Sequence, residues 1–182
     1  MSHEFDAARL DIKAFATASG VLSGADLLSK YERLSEEADG RGGDGPVHWT
    51  ARGELVEKAG GPAGVWLHLK ATASLPMVCQ RCLGPVDVPL SVARSFRFVA
   101  TEAQAQAEDE DAQEDVLALS RDFNLVELIE DELLMELPLV PRHEVCPTEV
   151  KLAVQDPGFE ASVPEKNRPF AVLAGLRGGK PS

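Results

Sequence analysis

The residues whose types and spacing best suit chemistry are Cys79-Gln-Arg-Cys82 and His143-Glu-Val-Cys146. In each segment two soft or borderline ligands stand three positions apart, so each half-site can close on one side of a tetrahedral ion. Together they supply the Cys3His set of a structural zinc. Two other readings fit the same residues. Cys79 and Cys82 can be small buried groups at a strand–loop junction, with His143 and Cys146 merely flanking a loop. A dithiol redox pair is the weaker option, because nothing places Cys79 at the start of a helix after a βαβ unit. The metal reading requires Cys79, Cys82 and Cys146 to converge, since one ion with zinc–sulfur bonds of about 2.3 Å cannot bridge distant sulfurs.

Other candidates carry charge. Arg81, Arg94 and Arg97, with Lys70 and Arg52, can form a basic face beside Trp66, Phe96 and Phe98. That mixture holds looped or single-stranded RNA, although strands also carry outward charges with no ligand. Glu130, Asp131 and Glu136 are acids of one helix, suited to solvation or to docking on a basic partner. They have no partner His or Ser arrangement for general acid–base work. His3, His48 and His68 are isolated, and the chain contains no phosphate-cradling Gly loop, nucleophile elbow or HExxH. These absences read as a protein that is not an enzyme.

The elements that must position these groups follow from periodicity. Ser23-Gly-Ala-Asp26 can cap a helix over 24–37, with Ala25, Leu27, Leu28, Tyr31 and Leu34 on one face. Residues 47–58 and 65–75 alternate apolar and polar around KAGGPAG, which predicts an antiparallel hairpin. A third strand runs from Val86 to Phe98, with Arg94 interrupting its apolar face and Pro89 marking an edge or bulge. Residues 102–115 hold seven acids and no base, the composition of a mobile, solvated loop. Asn124 caps a helix over 124–137, Glu127 takes the capping-box position, Phe123 and Leu128 form a staple, and Pro138 and Pro141 stop it.

The expected fold is therefore α+β: an antiparallel sheet of five or six strands, two packed amphipathic helices and a disordered acidic loop. One domain is expected over residues 1–155, with an extended tail over 156–182 that carries Pro169-Phe-Ala-Val-Leu173. A chain of 182 residues, 44% of them hydrophobic, can build its own core. No apolar run approaches the roughly 18 residues of a membrane span, and the N-terminus lacks a secretory pattern, so a cytoplasmic protein without a disulfide framework is expected. A net charge of −12 opposes indiscriminate binding to nucleic acid, but the charge is uneven. Residues 47–100 sum to +3 and 101–146 to −12, so any RNA contact must be local.

Val78-Cys-Gln-Arg-Cys-Leu83, then an acidic gap, then Asn124-Leu-Val-Glu-Leu-Ile-Glu-Asp-Glu-Leu-Leu-Met-Glu-Leu-Pro-Leu-Val-Pro-Arg-His143 with Cys146, and finally Pro169-Phe-Ala-Val-Leu-Ala-Gly-Leu176 occur in that order. In this combination the chain resembles the YceD family of large-ribosomal-RNA accumulation proteins. The likeness extends over nearly the whole chain, the first 75 residues matching in layout alone. It implies a noncatalytic role in 23S rRNA accumulation or processing, through 23S rRNA or a pre-50S particle, with no membrane or DNA partner. The alternative is an acidic adaptor that docks on a basic ribosomal protein or assembly enzyme.

Overall fold

The computed structural model describes residues 5–57 and 63–148, and those through Pro147 form one compact unit. The expected boundary near 155 and the 169–173 apolar patch lie outside the described residues. Five strands, β1 (Val21–Leu27), β2 (Pro46–Val56), β3 (Gly64–Val78), β4 (Pro85–Val99) and β5 (Asp115–Ala118), form one sheet in chain order. All neighbours are antiparallel except β4 and β5, which run parallel. The α+β class is as expected.

Alternation decides which way the sheet faces. Along β2, Val47, Trp49, Ala51 and Gly53 are buried and their neighbours are exposed or half-buried. On β3, Val65, Leu67, Leu69 and Ala71 repeat the pattern, and on β4 Val88, Leu90, Val92, Phe96 and Phe98 complete it. Pro89 costs the sheet no ladder bond, because β5 pairs only with Phe96–Val99 and leaves the β4 edge free at that position.

Three helices contribute to the core on this face. Helix α1 (Ile12–Thr17), which the hydrophobic pattern did not reveal, is capped by Asp11, whose side chain accepts from the Ala14 N–H at 2.9 Å. It buries Ile12, Phe15 and Ala16. At α4 (Leu125–Met135) the expected cap is in place, the Asn124 oxygen accepting from Val126 N at 3.1 Å and Glu127 N at 3.3 Å. Phe123 meets Phe98 edge to face, with ring centroids 5.4 Å apart.

The expected 24–37 helix is corrected. Residues 21–27 are strand β1, Leu28–Lys30 is a 3-10 turn, and only Glu32–Glu37 is α-helical (α2). The spacing of Leu28, Tyr31 and Leu34 did mark a buried face. Ala25 and Leu27, however, belong to a strand paired with Pro46–Arg52, and Leu27 is 56% exposed. Nor is Asp26 a cap residue: it accepts from Trp49 Nε1 at 2.8 Å and Tyr31 Oη at 3.1 Å and pairs with Lys30 at 3.0 Å. Burial raises its pKa, but these partners outweigh burial and leave it lowered.

Residues 102–115, expected as a mobile loop, instead carry a fourth helix, α3 (Glu102–Asp109), packed by β5 on the opposite sheet face. Thr101 caps it, and Ala105 joins Val99 and Val116 in a small second apolar cluster. The self-repulsion of the acids is offset from outside the segment. Arg97 donates to Glu108 at 2.6 Å and to Glu114 at 2.7 Å, and Asp109 accepts from Val116 N at 3.0 Å.

Candidate metal centre

The β3–β4 hairpin ends in the loop 79–84, and the chain leaving α4 passes over it through Pro138–Cys146. Backbone bonds set both pieces. Within the loop, Cys79 N donates to Gly84 O at 2.9 Å and Leu83 N to Cys79 O at 2.8 Å, holding Leu83 at a positive φ of 58°. That conformation costs a non-glycine residue about 1 kcal/mol or more. Between the pieces, Gln80 N donates to Pro141 O at 2.9 Å, and Pro141 is buried. This clamp brings the two half-sites together.

The result is one cluster. The ligand atoms of Cys79, Cys82, His143 and Cys146 all lie within 4.8 Å of one another. Cys79 Sγ is 3.9 Å from Cys146 Sγ, and Cys82 Sγ is 3.4 Å from His143 Nδ1. A tetrahedron with metal–sulfur bonds of about 2.3 Å and metal–nitrogen bonds of about 2.0 Å has edges of roughly 3.8 and 3.5 Å. The donor set can therefore hold one metal ion, and the convergence required of the three cysteines is present. All three are free of disulfides.

The surroundings favour thiolate at Cys79. Burial pushes the Cys79 thiol up, but the backbone N–H groups of Cys82, His143 and Arg81 and the Cys82 thiol bring it down to about 5. At Cys82 the Gly84 N–H acts downward, yet burial and the Cys79 and Cys146 sulfurs leave its pKa raised. Arg81 Nε donates to Cys146 Sγ at 3.1 Å, and its guanidinium also reaches the carbonyls of His143 at 3.4 Å and Glu144 at 3.3 Å. Three thiolates around a divalent ion carry a net negative charge, and Arg81 is placed to balance it.

The three arginines expected on one exposed face are dispersed. Arg81 serves the cluster. Arg94 points to the α4 side, 3.3 Å from Glu132 and 3.6 Å from Asp115, and interrupts the apolar face because Glu132 meets it there. Arg97 faces the other side, where α3 holds it with only 15% of its side chain exposed. Of the acids, Glu130 accepts from Arg33 N at 2.8 Å and Leu34 N at 3.3 Å, closing the start of α2, and pairs with the Arg33 guanidinium at 2.9 Å. Asp131 also binds Arg33, which leaves Glu136 exposed. Spacing along α4 could not reveal these partners, since Arg33 lies almost a hundred residues away.

Glu130 and Glu132, both buried, are expected to respond oppositely to neutralisation. Glu130→Gln weakens a carboxylate that satisfies two helix N–H groups and should cost about 1–3 kcal/mol in urea unfolding. Burial raises the Glu132 pKa more than Arg94 lowers it. The folded state thus binds this proton more tightly than the unfolded chain, and Glu132 opposes folding as pH rises from the ordinary carboxylate range through its raised value. Glu132→Gln, which resembles the protonated form that the fold favours, should leave stability at pH 7 equal to or above that of the parent, and should flatten that part of the stability–pH curve. A loss as large as that of Glu130→Gln would contradict the assignment.

Fold and site define a class: a small α+β domain whose longest hairpin and last described helix converge on a Cys3His cluster. The family profile described as large ribosomal RNA subunit accumulation protein YceD matches residues 67–177, and the chain belongs to that family. A protein of that same description from Haemophilus influenzae is 32% identical over 109 residues, covering 59% of this chain and 63% of that protein. The chain thus matches just under two thirds of the relative's length. No solved structure matches it.

Proposed function

We propose that this protein is a noncatalytic, cytosolic factor that supports accumulation of large-subunit ribosomal RNA by contacting 23S rRNA or a pre-50S particle. The observation that carries the reading is the family match across residues 67–177, which spans both halves of the cluster. The cluster's place supports a structural role for its ion: it joins a hairpin tip to a loop and offers four protein ligands, with no position left open for a reacting water. The sulfur-rich donor set and near-tetrahedral edges favour zinc. The adaptor reading is weaker, since Arg33 already occupies Glu130 and Asp131.

Protein isolated from its own cells and analysed by RNA sequencing and mass spectrometry should retain large-subunit rRNA over small-subunit rRNA. That retention should fall as salt rises from roughly 50 to 200 mM. Equal recovery of both rRNAs, or basic proteins without RNA, would refute the reading.

A further inference from the structure

Among the described residues, the sheet face turned away from α1 and α4 is covered only at its far end, by α3, and its outward positions from β1 across to β4 are exposed or half-buried. Its outward residues include His48, Thr50 and Arg52 on β2, Trp66, His68, Lys70 and Thr72 on β3, and Ser91, Ala93 and Ser95 on β4. Register sets Thr50 beside Lys70 and Lys70 beside Ala93, with His68 between Arg52 and Ser95.

Two features of this face suit nucleotides. The Trp66 and His68 rings are nearly parallel, at 10°, with centroids 6.4 Å apart. This falls within the range of about 4.5–7 Å for offset-stacked rings, so the pair offers a joint aromatic platform for a base. The His68 ring is fixed at both nitrogens, 2.8 Å from Ser95 Oγ and 2.9 Å from Glu54 Oε2. Next to it lies a shallow depression of about 570 Å³ whose polar lining, including His48, Thr50, Lys70 and Thr72, contains no carboxylate. Glu54, the register partner of Trp66, is taken up by Arg52 at 2.7 Å and by His68. Glu108 and Glu114, which line the cavity on the α3 side of Trp66 together with Asp111, are held by Arg97. Lys70 has no ion pair among the described residues. In a chain of net charge −12 the depression at Lys70 is ground on which a phosphate can approach a cation with no carboxylate in the lining.

The geometry points to the outer face of β2–β4 as a binding track for unpaired RNA, with a base stacked at Trp66 and His68 and the backbone running past Lys70 and Arg52. This deepens the proposed rRNA contact and rests on it. Small residues on β4 leave height for a strand, and aromatic stacking accepts any base, so the track would read single-strandedness rather than sequence.

The test is fluorescence anisotropy of the full chain with labelled oligouridine and with an RNA duplex of equal length, at several salt concentrations. The single strand should bind more tightly than the duplex. Trp66→Leu should weaken it about ten-fold, whereas Trp66→Phe, which keeps a stacking ring, should stay near the parent. Lys70→Glu, a change at an exposed site, should weaken binding and reduce the salt slope by about one. Arg121→Glu, an exposed cation away from this face, should change nothing. If the parent binds neither RNA, the track is wrong, whereas the rRNA reading stands or falls separately on the large-subunit rRNA recovered with the protein from cells. If it binds RNA while Trp66→Leu and Lys70→Glu match the parent, the track is wrong and the rRNA reading stands. Equal binding of duplex and single strand also overturns the track.

Discussion

Chelating the metal from purified protein is expected to lower its melting temperature by about 10 °C and to release one zinc per chain. An ion that binds only the folded state adds about 4 kcal/mol when its free concentration is roughly a thousand times Kd. In a domain of this size each kcal/mol moves the midpoint by about 2–4 °C. The four ligands act on one element, the junction of the 79–84 loop with the 138–146 segment. Cys79→Ser and Cys146→Ser should therefore each produce most of the chelation effect, and the double variant little more. Chelator should leave either variant's melting point unchanged. The cluster residues lie outside the main apolar core, so the metal-free chain should keep its sheet. An unshifted midpoint in a protein shown by elemental analysis to have lost its zinc would remove the structural role.

The second large effect is expected at Gly53, in the middle of β2. A Cβ there would lie 2.8 Å from the Ala16 Cα, 2.8 Å from Phe15 Cδ1 and 2.9 Å from the Ala16 nitrogen. Two of these atoms are backbone and cannot rotate away. Replacing a strand glycine otherwise favours folding by about 0.5–1 kcal/mol through chain entropy. Overpacking a close helix–sheet contact costs about 1–3 kcal/mol or more, so the clash wins. Gly53→Ala should lower the urea midpoint without changing the slope, and Gly53→Val should do so by a larger margin. An unchanged midpoint would contradict the close approach of α1 to β2.

What could be read without coordinates was whatever a short stretch of chain determines alone. Alternation over 47–58, 65–75 and 86–98 located the long strands, because side chains on a pleated strand change sides at every residue. Asn124, with the apolar residues after it, located α4 because a cap and its helix are neighbours in sequence. The cysteine and histidine spacings showed that each half of the cluster could chelate, and the ordered motifs pointed to the family.

Tertiary structure decided the rest, wherever the deciding partner lies far along the chain. Residues 24–27 could not declare themselves a strand, since their partners are Pro46–Trp49, and apolar groups at 25, 27, 28, 31 and 34 suit a helix equally well. The acidic segment looked disordered because nothing within it offsets its charge. Arg97, at least five residues upstream and on a different element, provides that offset. The same holds for charge and role: Arg81, Arg94 and Arg97 are alike in sequence, but their directions follow from a turn and from strand parity. Arg81 reaches Cys146, Arg94 reaches Glu132, and Arg97 reaches α3. Whether the two half-sites would meet depended on contacts between distant segments, the backbone clamp of Gln80 on Pro141 and the reach of Arg81 to His143, Glu144 and Cys146. Such contacts follow from how the β3–β4 hairpin and the exit from α4 pack on one sheet, which local spacing does not encode.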